Sequence, residues 1–242
     1  SRQETARISV GLDEPLQKVV FQKEGNLNSL GEALDFPLKP YTRYWYTVAV
    51  RTEHGEEAVS QPCFFETGKL DDPWKGQWLG VEGSDTHPEF QRSFFLPDKP
   101  CSARLYICGL GLFEAYLNGE KAGNDLLAPF LNDYTEHFQY CTYDVTSLLA
   151  QDNTLSVLLG DGWYRGHFGL GEPTHYDRPL ALIAELRMEF ADGHTETLCS
   201  DSGWQYRSSF TTLSDIYNGE TQDYTKTPGD WKQPVLIPAP GG

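Results

Sequence analysis

Residues 105–119 decide the fold and read LYICGLGLFEAYLNG. Two apolar runs, Leu105 to Leu110 and Leu112 to Leu117, are too short for helices and rich in aromatic residues. Runs of this kind are typical of buried or half-buried strands. Asn118-Gly119 ends the second run, and because both residue types tolerate a positive φ, the pair predicts a tight hairpin turn.

Further strands are predicted on both sides of this stretch. They are Glu89 to Leu96, Phe138 to Tyr143, Leu155 to Leu159, Ala181 to Phe190, Thr195 to Cys199, Trp204 to Arg207 and Trp231 to Ile237. Asp144 is expected to cap a helical turn over Val145 to Leu149, since its carboxylate can accept N–H groups there. Gly160 to Gly166 is expected to be a glycine-hinged loop, and Ser214 to Glu220 a second loop. About ten strands without a long helix predict a jelly-roll β-sandwich.

The N-terminal part has the same all-β character on a smaller scale. Short strands separated by polar turns, among them Tyr41 to Val50, predict a β-sandwich over residues 1–70. The pattern Leu38-x-Pro40-x-Thr42-x-Tyr44-x-Tyr46-x-Val48 resembles the end of a fibronectin type III domain, with Tyr44 as its tyrosine-corner residue. Seventy residues are few for that fold, so the first strand is expected to be missing and the sandwich incomplete. Residues 71–77 are assigned to a linker and residues 78–242 to the jelly roll.

Charge restricts the classes of partner. The 242 residues carry 35 acidic against 19 basic side chains, a formal net charge of −16. That charge repels nucleic acid and anionic membrane surfaces, so neither is expected as a partner. The five cysteines show no metal-ligand spacing and are interpreted as free thiols in a reducing compartment. No signal peptide is evident, so the expected location is cytoplasmic, with an export signal lost by truncation as the alternative.

Several separated motifs carry a family resemblance. Tyr116 to Gly119 and Tyr143 to Thr146 resemble the galactose-binding-like jelly rolls attached to glycosidases. Four longer stretches, in the expected order, are similar to the N-terminal domain of bacterial α-L-rhamnosidases, glycoside hydrolase family 78. These stretches are Leu110 to Tyr116, Leu127 to Pro129, Leu159 to Gly166 and Ile216 to Glu220. Phe65 to Gly68 resembles the fibronectin-like module that precedes this domain in the family.

The resemblance implies a parent hydrolase that releases terminal L-rhamnose with inversion. Such an enzyme needs two carboxyl groups roughly 6.5–9.5 Å apart across the scissile bond. In the family they lie in a downstream (α/α)6 barrel, near an Asp-Cys-Pro stretch that this sequence lacks. The resemblance therefore implies a non-catalytic N-terminal fragment, without catalytic residues of its own, which supports the barrel. Its partners would be the downstream domains of its parent chain and a rhamnose-containing glycan or glycoside.

Two alternatives stay open, and both concern ligands. The chain could be an autonomous carbohydrate-binding module for L-rhamnose or a related sugar, or an interaction scaffold without a ligand. Aromatic rings cover the C–H face of a pyranose and polar groups bind its hydroxyls, which selects a set of candidate contacts. They are Asp161, Trp163, Tyr164, Arg165, Asp215, Tyr217, Asn218 and Glu220.

For the candidate contacts within Gly160 to Gly166, a purely structural role is the competing interpretation. Gly160, Gly162 and Gly166 permit a tight turn in which Trp163 plugs the end of the sandwich and Asp161 binds loop N–H groups. No cofactor is expected. Calcium, which takes six to eight oxygen ligands, is the alternative to that expectation, with Asn132 and Asp133 as its candidate ligands.

Overall fold

The computed structural model describes residues 2–28, 30–83, 87–167, 169, 171 and 179–239. The chain divides into two compact units, Ser1–Pro73 (unit 1) and Trp74–Gly242 (unit 2). Nearly all of the regular secondary structure in both units is β-strand, so the predicted all-β fold class is confirmed. Within the described residues, no helix combines the length and apolar character that a membrane span requires.

Unit 1 has one antiparallel sheet among its described residues. Its strands follow the order β2-β1-β3-β4. Strand β5 also pairs with β3, along the same edge as β4 but at the opposite end. The strands are β1 (Gln3–Gly11), β2 (Val19–Gly25), β3 (Arg43–Thr52), β4 (Glu57–Val59) and β5 (Cys63–Glu66). Strand β4 was not anticipated from the sequence, because its three residues are too few to establish a periodicity.

Tyr44 fastens this sheet to the segment before β3. Its side chain is 2% exposed, and its hydroxyl accepts a hydrogen bond of 2.9 Å from the backbone N–H of Lys39. The ring stacks on that of Phe65, with the centroids 5.3 Å apart. This is the contact expected of a tyrosine-corner residue.

Unit 2 is a jelly-roll sandwich of two main sheets. One has the strand order β10-β9-β12-β7-β15, and the other has the order β11-β8-β13-β6-β18 with β14 paired to β13. A separate hairpin is formed by β16 and β17. The strands are β6 (Trp78–Gly80), β7 (Pro88–Phe95), β8 (Ser102–Leu110), β9 (Leu112–Leu117), β10 (Glu120–Lys121), β11 (Cys141–Asp144), β12 (Asp152–Gly160), β13 (Ala181–Glu189), β14 (Thr195–Cys199), β15 (Gln205–Ser208), β16 (Thr211–Asp215), β17 (Gly219–Gln222) and β18 (Val235–Ile237).

The alternation along β9 and β12 separates a buried face of their sheet from an open one. Successive strand residues point to opposite faces. The buried members are Phe113, Ala115 and Leu117 on β9 and Leu155, Val157 and Leu159 on β12, each at most 5% exposed. The residues between them point to the outer face, where Glu114 of β9 lies directly opposite Leu158 of β12.

The predicted hairpin turn after β9 is present. Asn118 has φ 55° and Gly119 has φ 83°, and β10 pairs back onto β9 from Glu120. The side chain of Asn118 also donates to the carbonyl of Leu148 at 2.9 Å and accepts from the backbone N–H of Thr154 at 2.8 Å. The turn is therefore fixed by tertiary hydrogen bonds as well as by its local preference for positive φ.

Two segments differ from their expected loop structure. Residues Gly162–Arg165 form one turn of α-helix, α1, because the backbone N–H groups of Tyr164 and Arg165 both donate to the carbonyl of Asp161. The expected loop at Ser214 to Glu220 belongs to the β16–β17 hairpin, in which Ser214 pairs with Glu220. Its polar residues pair across a ladder that lies on the surface, so no apolar alternation marks it.

A helical turn does follow Asp144, as expected, but it is a short 3₁₀ helix at Thr146–Leu148. The carboxylate of Asp144 accepts the backbone N–H of Thr146 at 3.0 Å and its hydroxyl at 2.6 Å. The aspartate therefore stabilises the start of the turn.

The end of the segment assigned to a linker is bound to unit 2. A carboxylate oxygen of Glu185, a β13 residue that is 3% exposed, accepts the backbone N–H groups of Lys75 and, at 3.0 Å, Gly76. The next N–H, of Gln77, donates to the carbonyl of Ser200 at 2.7 Å. Residues 75–77 are therefore held against the β13 sheet.

Candidate functional site

A cleft opens on unit 2 between the outer face of β9 and β12 and the β16–β17 hairpin. Its volume is about 490 Å³, which lies in the range of small-molecule sites. The residues that line it are Leu112, Phe113, Glu114, Tyr116, Leu127, Leu158, Leu159, Gly160, Thr211, Ser214, Asp215, Ile216, Gly219, Glu220, Gln222 and Tyr224. We call this feature the hairpin cleft.

The hairpin cleft combines apolar side chains with hydrogen-bond acceptors. Leu112, Leu158 and Ile216 supply aliphatic surface, whereas Glu114 on the sheet and Glu220 on the hairpin supply carboxylates. Each wall therefore contributes both kinds of contact.

Tyr224 adds an open aromatic surface at this site. Its side chain is 72% exposed, although its ring packs against Phe210 with the centroids 5.0 Å apart. The Tyr224 hydroxyl donates to the side-chain carbonyl of Gln222. The ring is thus positioned by neighbours and still accessible to solvent.

Glu114 belongs to a small polar network on the sheet wall. One of its oxygens accepts from the Tyr116 hydroxyl and the other from the Lys121 ammonium, each at 2.5 Å. Burial opposes ionisation of Glu114, but these two hydrogen bonds outweigh it and lower the pKa of the carboxyl. The hydrogen bond to Glu114, followed by burial, raises the pKa of Tyr116 to about 12. At neutral pH the wall therefore presents a carboxylate and a protonated phenol.

Asp215 holds the hairpin turn together. One oxygen accepts from the backbone N–H groups of Tyr217 at 2.9 Å and Asn218 at 2.8 Å. The other accepts from the backbone N–H of His167 at 2.7 Å and lies 2.8 Å from Nδ1 of its ring. Burial alone would raise the pKa of Asp215, yet these hydrogen bonds hold it well below its usual range. Asp215 is consequently an ionised structural acceptor.

Asp161 is engaged in a second buried cluster. Its two oxygens lie 3.0 Å from Nε2 of His87 and 2.8 Å from Nε of Arg165. Burial again opposes ionisation, but the hydrogen bond from His87 and the charge of Arg165 lower the pKa of Asp161. This arrangement explains why Asp and Arg stand four residues apart around α1.

The structure places the eight sequence-derived sugar contacts in different environments. Tyr164 is 1% exposed, with its ring edge-on to Tyr134 at 5.1 Å, and Trp163 packs partly buried against the core. Tyr217 and Asn218 lie in the exposed turn of the hairpin. Of the eight residues, Asp215 and Glu220 line the hairpin cleft.

The two calcium candidates differ in their hydrogen bonding, and the Asn132 Oδ1, the atom that would ligate calcium, is buried without a hydrogen-bond partner among the described residues. The Asn132 amide donates to the carbonyl of Phe130 at 2.8 Å, and Asp133 accepts from the backbone N–H of Thr135 at 3.0 Å and its hydroxyl at 2.5 Å. Within the described part of the chain, no group of three or more His, Cys, Asp or Glu side chains is arranged to hold a metal ion.

Sequence reasoning did not select Glu114, Tyr116 or Tyr224 as site residues. The signal for the first two was available, since the period of two along β9 places them on the face opposite Phe113 and Ala115. Nothing local to Tyr224 indicates that it lies beside strands more than sixty residues earlier in the chain.

The fold and the site define a class: an all-β chain of two units, the larger a jelly roll with an open cleft on its outer face. The family model described as the α-L-rhamnosidase N-terminal domain matches residues 98–237. A second model, described as the Rha78A-like N-terminal immunoglobulin domain, matches residues 1–71. The chain belongs to the α-L-rhamnosidase N-terminal domain family.

Related proteins support this assignment. An α-L-rhamnosidase of Streptomyces avermitilis is 41% identical over 148 residues, which are 60% of this chain and 14% of that protein. An α-L-rhamnosidase of Formosa agariphila is 30% identical in an alignment 227 positions long, which covers 80% of this chain and 24% of that protein. The chain thus spans less than a quarter of the length of these curated relatives.

A solved structure agrees over nearly the whole chain. The crystal structure of the native α-L-rhamnosidase from Aspergillus terreus superimposes with a TM-score of 0.85 at 27% identity. The match covers 98% of this chain and 30% of that one. Both units therefore have a counterpart in a known rhamnosidase structure.

Proposed function

We propose that this chain is a non-catalytic N-terminal region of an α-L-rhamnosidase, which supports a catalytic (α/α)6 barrel contributed by other residues of the parent protein. The parent would release terminal α-L-rhamnose with inversion. The observation that carries the proposal is the hydrogen bonding of the carboxylates of Glu114, Asp161 and Asp215 in unit 2, whose oxygens accept from groups of this chain. The alignment with a small share of longer rhamnosidases supports it.

The hairpin cleft resembles a glycosidase site in one respect, because both of its walls carry carboxylates. Inverting hydrolysis requires one carboxyl that is protonated at working pH and a second that activates water. A general acid needs a raised pKa. The pKa values of Glu114 and Asp215 are instead lowered, and both carboxylates accept hydrogen bonds from other groups of this chain. They suit fixed hydrogen-bond acceptance rather than proton donation.

The Asp161 cluster supports the same conclusion. Its carboxylate is bonded to His87 and Arg165, and its pKa is lowered. Where the pKa of any other described carboxyl is displaced, it is displaced downward as well. These groups accept local hydrogen bonds within their own units, and none of them shows the raised pKa that a general acid needs.

Hydrolysis assays of the purified chain test the proposal. We expect no release of 4-nitrophenol from 4-nitrophenyl α-L-rhamnopyranoside between pH 4 and pH 8, for the wild type and for Glu114→Gln and Glu220→Gln alike. Turnover that survives repurification and disappears in either variant would show that the cleft is catalytic and would overturn the proposal.

A further inference from the structure

We propose that the hairpin cleft is a metal-independent binding site for a neutral saccharide, one that discriminates against acidic sugars. The inference rests on the proposed function for the kind of ligand, since the parent protein would act on glycosides. The site itself is argued from the charge, the acceptors and the apolar surface of the cleft. It differs from the set selected from sequence, because its contacts include Glu114, Leu158 and Tyr224.

The charge of the lining determines which sugars can enter. Three carboxylates line the cleft, at Glu114, Asp215 and Glu220, and no Lys, Arg or His is among its described lining residues. Lys121 lies nearby but is bound to Glu114. Glu220 has no cationic partner among the described residues, so a uronate or sulfated sugar would be repelled by its charge, whereas a neutral sugar would offer it hydroxyl donors.

Glu220 is the acceptor with the most remaining capacity. A carboxylate can accept about four hydrogen bonds. Glu220 is exposed and accepts one, from the Gln222 amide at 2.6 Å. Asp215, by contrast, already accepts from three backbone N–H groups and adjoins the His167 ring, so it shapes the wall. A ligand hydroxyl would therefore bind chiefly to Glu220.

Apolar surface completes the recognition. The open ring of Tyr224 can cover the C–H face of a pyranose, as aromatic side chains do for amphipathic ligands. Leu112, Leu158 and Ile216 provide aliphatic surface that suits a further C–H face or the methyl group of a 6-deoxy sugar. The volume of about 490 Å³ accommodates a small ligand of one or two rings.

Binding is expected without a metal ion. The cleft residues already provide acceptors and an aromatic surface, and among the described residues, those of the cleft included, no three His, Cys, Asp or Glu side chains are arranged to hold a metal ion. Chelation with EDTA should therefore leave the affinity unchanged. A calcium-dependent sugar site would lose binding under the same treatment.

Calorimetric or NMR titration with methyl α-L-rhamnopyranoside tests the site, with methyl α-D-galacturonoside as the acidic probe. We expect millimolar binding of the neutral glycoside with or without EDTA, and at least about tenfold weaker binding of the uronate, equal to 1.4 kcal/mol. Raising the salt concentration should narrow this difference, because salt screens exposed charges.

Two variants locate the binding, and each has a matched control. Tyr224→Ala should weaken the neutral glycoside about tenfold, whereas Tyr217→Ala, at a tyrosine 57% exposed in the same hairpin, should not. Glu220→Gln should reduce the discrimination against the uronate, whereas Glu196→Gln, on β14 of the other sheet, should leave it unchanged. Circular dichroism and melting temperatures verify the fold of each variant.

Three outcomes would overturn the cleft proposal: no binding of the neutral glycoside, binding that requires calcium, or binding unaffected by Tyr224→Ala and Glu220→Gln. None of them affects the accessory role, which fails only if the chain hydrolyses the aryl rhamnoside.

Discussion

Gly111 shows at the scale of one residue how closely the two sheets approach at the β8–β9 connection. Its φ is 117°, and a Cβ built there would lie 2.3 Å from the carbonyl oxygen of Gly160. Gly193, in the turn between β13 and β14, also has a positive φ of 87°, but a Cβ there would meet no atom within 4 Å. Comparing alanine substitutions at the two glycines therefore separates the effect of backbone strain from the effect of steric contact.

We predict unequal effects of alanine at these two glycines. Gly193→Ala should lower the free energy of unfolding by about 1 kcal/mol, the cost of a left-handed backbone. Gly111→Ala should lower it by more than about 2 kcal/mol, since the Gly160 carbonyl must also move. Urea unfolding monitored by tryptophan fluorescence measures both. Equal losses would show that the close approach carries no energetic weight.

At the scale of an element, Asp215 makes the β16–β17 hairpin sensitive to acid. Its folded pKa lies below that of an unfolded aspartate, about 3.9. The stabilisation is therefore complete above that value and declines as the pH falls below it. Asp215→Asn removes the charge and should remove this part of the pH dependence.

The expected result is a difference in unfolding free energy between wild type and Asp215→Asn that is larger at pH 7 than at pH 3. Urea unfolding at the two pH values provides the measurement. A wild-type advantage that is the same at both pH values would contradict the assigned role of Asp215.

The Glu185 anchor of residues 75–76 permits a prediction by proteolysis. Loss of its hydrogen bonds in Glu185→Ala removes roughly 1.5–3 kcal/mol, so the segment should open more often and trypsin should cleave after Lys75 about tenfold faster. Glu189→Ala, at a half-exposed side chain on the same strand, should leave the rate near wild type. Mass spectrometry of the fragments identifies the cut. Similar rates in both variants would show that the segment is held by other contacts.

Elements with strong local patterns were predictable from sequence, and the site was not. The alternation in β9 and β12 and the Asn118-Gly119 turn each depend on neighbouring residues, so periodicity and φ preference are sufficient. Asp161 depends on His87, 74 positions earlier. The hairpin cleft likewise needs β9 and β16 together, and no local signal specifies which distant strands form its walls.

At the scale of the whole molecule, each unit has its own buried residues and its own sheets. Tyr44 belongs to the core of unit 1, and Leu155 to that of unit 2. We therefore predict that Tyr44→Phe destabilises unit 1 by about 1 kcal/mol, the typical value of one hydrogen bond, and leaves unit 2 unchanged. Leu155→Ala should do the reverse, by about 2–5 kcal/mol.

Hydrogen exchange in increasing urea, resolved by peptide mass spectrometry, reports on each unit separately. Tyr46→Phe, at a half-buried tyrosine on the same face of β3, is the matched control for Tyr44→Phe. If either variant shifted the exchange of both units together, the two units would form one cooperative structure and the prediction would be wrong.

The separation of the two cleft walls along the chain has a consequence for biosynthesis. During translation, β9 and β12 leave the ribosome well before Thr211. The sheet wall of the hairpin cleft is therefore present on the nascent chain before the β16–β17 hairpin that forms the other wall. Sugar capture would then begin only after Tyr224 has left the exit tunnel. Ribosome-stalled chains that have Tyr224 outside the exit tunnel should be retained on a rhamnoside resin, and chains stalled while Tyr224 is still inside the tunnel should not.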